Sequence, residues 1–305
     1  MMELYRKYRP TRLKDVLGQP EAVNILRKKI KSESVPHAIL FHGPPGTGKT
    51  TLARIIAKHV KCSDYDLQEK NTADYRGIDS IREIRNSVNQ APMSGESRVW
   101  ILDEVHKATN DAQNAMLKLL EEPPDHVYFI LCTTDPQKLL STILQRCTVI
   151  RLLPIPFEDI RDIVKNVCHQ ENIKLSKKVF ERLIEYAEGS AREALQILDK
   201  IYQLEDEREQ LDAIEKASVK TQAITIARML LNTKTKWKQI SPILKELENE
   251  DAEQIRYMIL GYGRAVLLSK DTPRAFRMIE SFRDNFYDSK FSGVVAACYE
   301  VIQGG

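Results

Sequence analysis

The sequence predicts an α/β fold in its first half and helices alone in its second, and three observations carry that reading. Short apolar runs alternate with helix-period patterns up to about residue 153, the signature of a parallel sheet whose strands are joined by crossover helices. The first run leads straight into Gly43-Pro44-Pro45-Gly46-Thr47-Gly48-Lys49-Thr50, a glycine-rich octet followed by a helical pattern. From Phe157 onward apolar residues recur at three and four positions, and no convincing strand is found.

Taken in order, residues 38–41 form the first strand and residues 52–57 the start of the helix beyond the octet. Residues 98–102, 128–132 and 149–152 read as three further strands. Between the second and third, Ala112, Ala115, Met116, Leu119 and Leu120 share one face of a helix that Pro123-Pro124 stops. Pro154 and Pro156 punctuate the end of the sheet domain. Phe157, Ile160, Ile163, Val164 and Val167 then mark one helix, and Val179, Phe180, Leu183, Ile184 and Ala187 a second. Ala194, Leu195, Leu198, Ile201 and Tyr202 mark a third, opened by the capping box Ser190-Ala191-Arg192-Glu193. The polar run at 205–210 reads as a solvated linker or frayed helix end, and apolar spacing around 224–231, 240–247 and 255–268 predicts a bundle. The expected domains are therefore 1–153, 154–204 and 211–305.

With 42% apolar and 29% charged residues over 305 positions, wholesale disorder is excluded. A net charge of +3 is nearly balanced, so any nucleic-acid surface has to come from local clustering. Cys62, Cys132, Cys147, Cys168 and Cys298 form no C-x-x-C pair, which points to small core thiols in a reducing compartment. No stretch approaches the ~18 uninterrupted apolar residues of a membrane span. The start, Met1-Met2-Glu3-Leu4-Tyr5-Arg6, lacks the form of a signal peptide, and a cytoplasmic location is expected.

Strand, glycine-rich turn and helix together aim backbone N–H groups and a helix N-terminus at one spot, which favours a polyphosphate there. Lys49 is expected on the β- and γ-phosphates and the Thr50 hydroxyl on Mg²⁺, so the octet reads as a site for a nucleoside triphosphate, with ATP as ligand. The strand 98–102 runs into Asp103-Glu104, placing two carboxylates at the carboxyl edge of the sheet near those phosphates. Asp103 is expected in the magnesium shell, and Glu104 on the attacking water. Of the two threonines ending the third strand, Thr134 is chosen over Thr133 for a hydroxyl near the γ-phosphate or water. Arg192 lies in a first helical turn, where the dipole disfavours a cation. It reads either as solvent-facing or as leaning onto a phosphate from a lid. Arg146 reads equally as a surface charge or a functional group. Ser80, Arg82 and Arg85 open a helix after Gly77 and suit either DNA phosphates or a solvated charged face.

The ordered set Tyr5-Arg6-Lys7-Tyr8-Arg9-Pro10, Leu17-Gly18-Gln19, the glycine-rich octet, Asp103-Glu104-Val105-His106, Leu120-Glu121-Glu122-Pro123-Pro124, Thr133-Thr134-Asp135-Pro136-Gln137-Lys138 and Gly189-Ser190-Ala191-Arg192 resembles clamp-loader ATPases of the AAA+ class. It looks most like the motor (gamma/tau) subunit type of the bacterial DNA polymerase III clamp loader, with replication factor C subunits more distant. The likeness is strong over about residues 1–203 and only architectural beyond. It implies an AAA+ P-loop domain with a parallel sheet, a small helical lid and an all-α collar that closes a ring of five subunits. It further implies a sliding clamp and primer–template DNA as partners. Tyr5, Arg9, Pro10, Leu17 and Gly18 then fall in the segment that packs on adenine and ribose. Gly43 to Thr51 fall on the phosphates, Thr134 on the first sensor and Arg192 on the second. Arg146 falls on an arginine that enters the neighbouring subunit's ATP site, and the helix of Arg82 on one lining the DNA spiral.

Two departures stand out. Gln145 replaces the serine expected before Arg146-Cys147, and the interval from Lys58 to Tyr75 holds only Cys62 where the bacterial motor subunit carries a four-cysteine zinc module. No zinc is expected, as in a phage-encoded or divergent version. Two rival readings are a nucleotide-binding AAA+ scaffold subunit and a DNA-translocating AAA+ helicase. Intact Lys49, Asp103, Glu104 and Arg192 oppose the first, and a C-terminal helical bundle opposes the second.

Overall fold

The computed structural model of the chain describes residues 3–72, 78–217, 219–269 and 272–303. It opens with a one-turn helix, α1 (Leu4–Lys7), and a 3-10 turn at Leu13–Asp15. Helix α2 (Pro20–Lys31) starts on Pro20, whose fixed φ and missing N–H suit a first helical position, and buries Ala22, Val23 and Leu26. Strand β1 (Ala38–His42) enters the glycine-rich octet, and α3 (Lys49–His59) follows at once. Then come β2 (Cys62–Asn71), α4 (Ile78–Ser87), β3 (Ser97–Asp103), α5 (Asn110–Glu121), β4 (Val127–Thr133), α6 (Ser141–Arg146) and β5 (Thr148–Arg151).

The strands form one parallel five-stranded sheet in the order β2-β3-β4-β1-β5. Alternate residues of each strand serve opposite layers. Ile39, Phe41, Val99, Ile101, Ile130 and Ile150 pack under α2 and α3 with Leu26, Leu52 and Ile56. Leu40, Trp100, Leu102, Phe129 and Leu131 pack on the other face with Ile81 and Ile84 of α4, Met116 and Leu120 of α5, and Ile143 of α6. Both faces are covered, which is why the inner strands read as continuous apolar runs. Because β4 lies between β1 and β3, the octet, the Asp103-Glu104 pair and the Thr133-Thr134 pair emerge side by side at the carboxyl edge.

Among the described residues the four expected strands are joined by a fifth. Strand β2, Cys-Ser-Asp-Tyr-Asp-Leu-Gln-Glu-Lys-Asn, has no apolar run because it is an edge strand paired only with β3 and exposed along much of its length. A register shift between Cys62 and Leu67 further blurs its period.

Beyond the sheet, α7 (Phe157–Gln170), α8 (Lys177–Tyr186) and α9 (Ala191–Ile201) pack on one another and bury Ile160, Val164, Leu183, Leu195 and Leu198. Ser190 caps α9, its Oγ accepting the Glu193 N–H at 3.1 Å. Helix α1 is tied to α9, since the Leu4 backbone N–H donates to Asp199 Oδ2 at 2.8 Å.

The chain divides into two compact units, Met1–Gln203 and Leu204–Gly305. The second contains α10 (Glu207–Ala217), α11 (Val219–Leu231), α12 (Trp237–Glu246), α13 (Ala252–Ser269), α14 (Pro273–Ser281) and α15 (Phe291–Gln303). Its core gathers Ile226, Leu230, Ile240, Leu244, Ile255, Ile259, Met278, Phe282, Val294 and Val301. The polar run at 205–210 is not a linker. Residues 207–210 open α10, Asp206 Oδ2 accepts the Glu209 N–H at 3.2 Å, and the Gln210 side chain turns inward to donate to Leu204 O at 2.7 Å. Among the described residues no helix is long and apolar enough to cross a membrane.

Candidate functional site

The octet is pinned from several sides. The Gly43 N–H extends the ladder to Thr133 O at 3.2 Å, and a Cβ at Gly43 would stand 2.3 Å from Leu152 O. Thr47 is buried and its Oγ1 donates to Pro44 O at 2.9 Å. Gln19 reaches in from the N-terminal side, donating to Thr47 O at 3.3 Å and Leu153 O at 2.7 Å while accepting the Leu153 N–H at 3.2 Å. Gly48, at φ 105°, caps α3 in the left-handed region, and the first-turn N–H groups of α3 have no acceptor within their own helix.

Lys49 is only 7% exposed, and its Nζ donates to Gly43 O at 2.9 Å and Pro44 O at 2.8 Å. Burial lowers its pKa, while the nearby Glu104 and Asp103 carboxylates oppose that shift. Thr50 Oγ1 donates to Asp103 Oδ2 at 2.9 Å, so the two groups expected to share a metal are in contact. Glu104 takes a left-handed backbone at φ 51°, its N–H donates to Asp103 Oδ1 at 2.9 Å, and its Oε2 accepts from Thr134 Oγ1 at 3.3 Å.

A cleft of about 280 Å³ joins these groups to the lid. Pro45, Gly46, Thr47, Gly48, Lys49, Thr50 and Thr51 form its floor, with Asp103 and Glu104 beside them. Tyr5, Arg9, Pro10 and Leu17 form one wall, and Arg192 enters from α9 with its guanidinium 5.0 Å from the centre of the Tyr5 ring. Burial and, next, the neighbouring Arg54 lower the pKa of Arg9.

Gly18, Gly43 and Pro44, expected among the nucleotide-binding residues, are not among those that line this cleft. Gly18, at φ 75°, packs against Ile155, whose Cγ2 would lie 2.4 Å from an added Cβ. Gly43 and Pro44 offer their carbonyls to Lys49 and face a second opening that also includes Thr134. Sequence reasoning missed Val16, Ile155, Asn166 and Leu195 on the cleft wall, and it missed Gln19 as the clasp of the octet. Ile163 and Val167, four apart on α7, also line the cleft, Val167 from within the core.

Arg146 lies outside the cleft at the end of α6. Its Nε donates to Glu121 Oε1 at 2.9 Å, its Nη2 contacts the same carboxylate, and its Nη1 donates to Thr142 O at 3.0 Å. Ser80, Arg82 and Arg85 lie on α4, the two arginines exposed and opposite the buried Ile81 and Ile84. Gly77 lies outside the described residues.

The donor set fits a nucleoside triphosphate with a hard divalent cation. A buried ammonium, a helix N-terminus and the Arg192 guanidinium meet at the floor. Thr50 and Asp103 supply only oxygen, as Mg²⁺ prefers, and Val16, Leu17, Ile155 and Ile163 give an apolar wall for a base.

Sheet order, octet and helical lid define an AAA+ P-loop fold. Solved structures of the Thermotoga maritima RuvB Holliday junction branch migration motor align with a TM-score of 0.57 at 20% identity, covering 73% of this chain and 78% of that one, a likeness of fold alone. The family described as "DNA polymerase III, delta subunit" matches residues 18–76 and 63–156. The DNA polymerase III gamma/tau subunit of Mycobacterium tuberculosis H37Rv is 34% identical over 66% of this chain and 39% of its own length. The tau subunit of Escherichia coli K12 is 36% identical over 65% and 34%, and that of Bacillus subtilis 168 is 32% identical over 98% and 58%. The chain thus spans between about a third and three fifths of the length of these relatives. The chain has this AAA+ P-loop fold and is similar in sequence to clamp-loader ATPases, resembling the gamma/tau subunits of DNA polymerase III.

Proposed function

We propose that the chain is the ATP-hydrolysing motor subunit of a DNA polymerase sliding-clamp loader, which opens the clamp and places it on primer–template DNA. The observation that carries the proposal is the cleft in which Lys49, Thr50, Asp103, Glu104 and the lid residue Arg192 converge. In this reading residues 1–153 are the ATPase domain, 154–204 the lid and 211–305 the collar of a five-subunit ring, working in the cytoplasm.

Thr50 and Asp103 would hold Mg²⁺, which supplies charge neutralisation to the phosphates when bound. Lys49 and the N–H groups of the octet bind the β- and γ-phosphates. Glu104, held by Thr134, orients water for in-line attack, and Arg192 stabilises the charge that develops on the γ-phosphate. Arg146, outside its own cleft, completes the site of the adjacent subunit. Arg82 and Arg85, with Ser80, meet DNA phosphates, so DNA binding weakens steeply with salt and shows little base preference.

Lys49→Ala abolishes ATP binding in calorimetry. Glu104→Gln keeps binding and stops turnover. Arg146→Ala leaves affinity largely intact and lowers assembly-dependent hydrolysis, and normal turnover in that variant refutes the trans role. The deciding experiment isolates the protein with its partner subunits and measures whether a sliding clamp and primed DNA stimulate its ATPase. Binding without single-turnover hydrolysis would favour a scaffold, and DNA unwinding without a clamp would favour a helicase.

A further inference from the structure

Glu104 is held through one of its two carboxylate oxygens. Thr134 Oγ1 donates to Oε2 at 3.3 Å, and His106 Nδ1 lies 3.2 Å from that same oxygen. No hydrogen bond from the described residues reaches Oε1. His106 is placed for this by the backbone. The left-handed turn at Glu104 and the 3-10 turn Val105–Lys107 fold the ring back over the carboxylate two residues before it. Its side chain is 9% exposed, and Nδ1 is also 3.0 Å from the buried Thr133 hydroxyl, which accepts the Asp135 N–H at 3.0 Å.

We infer that His106 is the positioning residue of Glu104, its Nδ1–H fixing Oε2 so that Oε1 is the oxygen that meets the attacking water. This rests on the reading of Glu104 as the water-orienting carboxylate. Nδ1 is hydrogen-bonded to the Thr133 hydroxyl, and because an ionised carboxylate only accepts, a bond from the same nitrogen to Oε2 places the proton on Nδ1 and shares it between the two oxygens. A neutral imidazole is a suitable partner, and burial favours the neutral ring by lowering the His106 pKa. It restrains the carboxylate without the full positive charge of a lysine or arginine, which would make Glu104 a poorer acceptor of a proton from water.

Asparagine places an amide N–H where Nδ1 stands, glutamine places it further out, and phenylalanine keeps the ring without the donor. His106→Phe and His106→Gln lower kcat for ATP about tenfold with KM for ATP unchanged within about twofold, whereas His106→Asn recovers most of the turnover. Glu104→Gln in the same assay separates the two failures. If it hydrolyses ATP like the parent, the role of Glu104 itself falls. If it is inactive while His106→Phe and His106→Gln match the parent, the inference falls and the role of Glu104 stands. A second readout needs no turnover. In ¹⁵N-labelled protein, with the His106→Asn spectrum giving the assignment, the His106 ring carries its proton on Nδ1, and a ring protonated on Nε2 alone overturns the inference.

Discussion

Gly46 and Gly48 both adopt left-handed backbone, at φ 72° and 105°, but they answer to different surroundings. A Cβ on Gly46 would lie 1.9 Å from Ser190 Oγ at the start of the lid helix α9, whereas a Cβ on Gly48 would meet nothing within 4 Å. Gly48→Ala therefore carries the dihedral cost alone, about 1–2 kcal/mol. Gly46→Ala carries that cost and a clash with the lid. Urea unfolding should show the larger loss for Gly46→Ala, and Ser190→Ala, which removes the α9 cap at a cost of about 1 kcal/mol, should cost less in the Gly46→Ala background than in the Gly48→Ala background. Equal losses for the two glycine variants would refute the contact. The octet, Asp103, Glu104 and Arg192 were legible because each motif is local. Ser190 against Gly46 and Gln19 against Leu153 were not, since they join segments far apart in sequence that only the fold brings together.

At the scale of elements, β2 shows what period and polarity miss. It is held by Asp66, a fully buried carboxylate. Its oxygens accept from Ser63 Oγ at 2.6 Å and from the N–H groups of Met93, Ser94 and Gly95 at 2.6, 3.1 and 2.9 Å. An aspartate in a sequence is normally a surface residue, and nothing local marks this one as the acceptor that ties the loop before β3 to the edge strand. Burial alone would raise its pKa, but the Ser63 hydroxyl and the three backbone donors outweigh it and hold the carboxyl well below the ordinary carboxylate range. A depressed folded-state pKa gives stability that is complete above the unfolded value near 4 and is lost as pH falls through the folded value. Asp66→Asn brings an NH₂ group against backbone N–H donors and should cost about 2–3 kcal/mol at pH 7. Denaturation as a function of pH should show that deficit shrinking below about pH 4, and a deficit that persists unchanged at pH 2 would remove the carboxylate from the account.

At the scale of the whole molecule, the helical second half and its bundle core followed directly from apolar spacing, while the place where the second unit begins did not. The polar run 205–210 reads as a solvated linker or frayed helix end because residues 207–209, which open the amphipathic α10, face solvent. Leu204–Gly305 has an apolar core of its own, and the cleft is built wholly from Met1–Gln203. Residues 204–305 prepared alone should therefore melt cooperatively, at a temperature that ATP does not change. The chain offers a direct check because its two tryptophans are divided between the units, Trp100 in β3 and Trp237 in α12. Trp237 packs edge-on to Tyr299 with centroids 5.1 Å apart, so Trp237→Phe keeps an aromatic there and leaves Trp100 as the sole reporter of the sheet. Ligand bound only by the folded state stabilises by about 2.7 kcal/mol at a hundredfold excess over Kd. For a unit of this size that corresponds to about 5–10 °C in the Trp100 transition. In the reciprocal Trp100→Phe chain Trp237 reports the second unit alone, and the same nucleotide should leave the Trp237 transition where it was. A broad, non-cooperative melt of residues 204–305, or an ATP-dependent shift in it, would mean that the second unit depends on the first for its fold or carries a nucleotide site of its own.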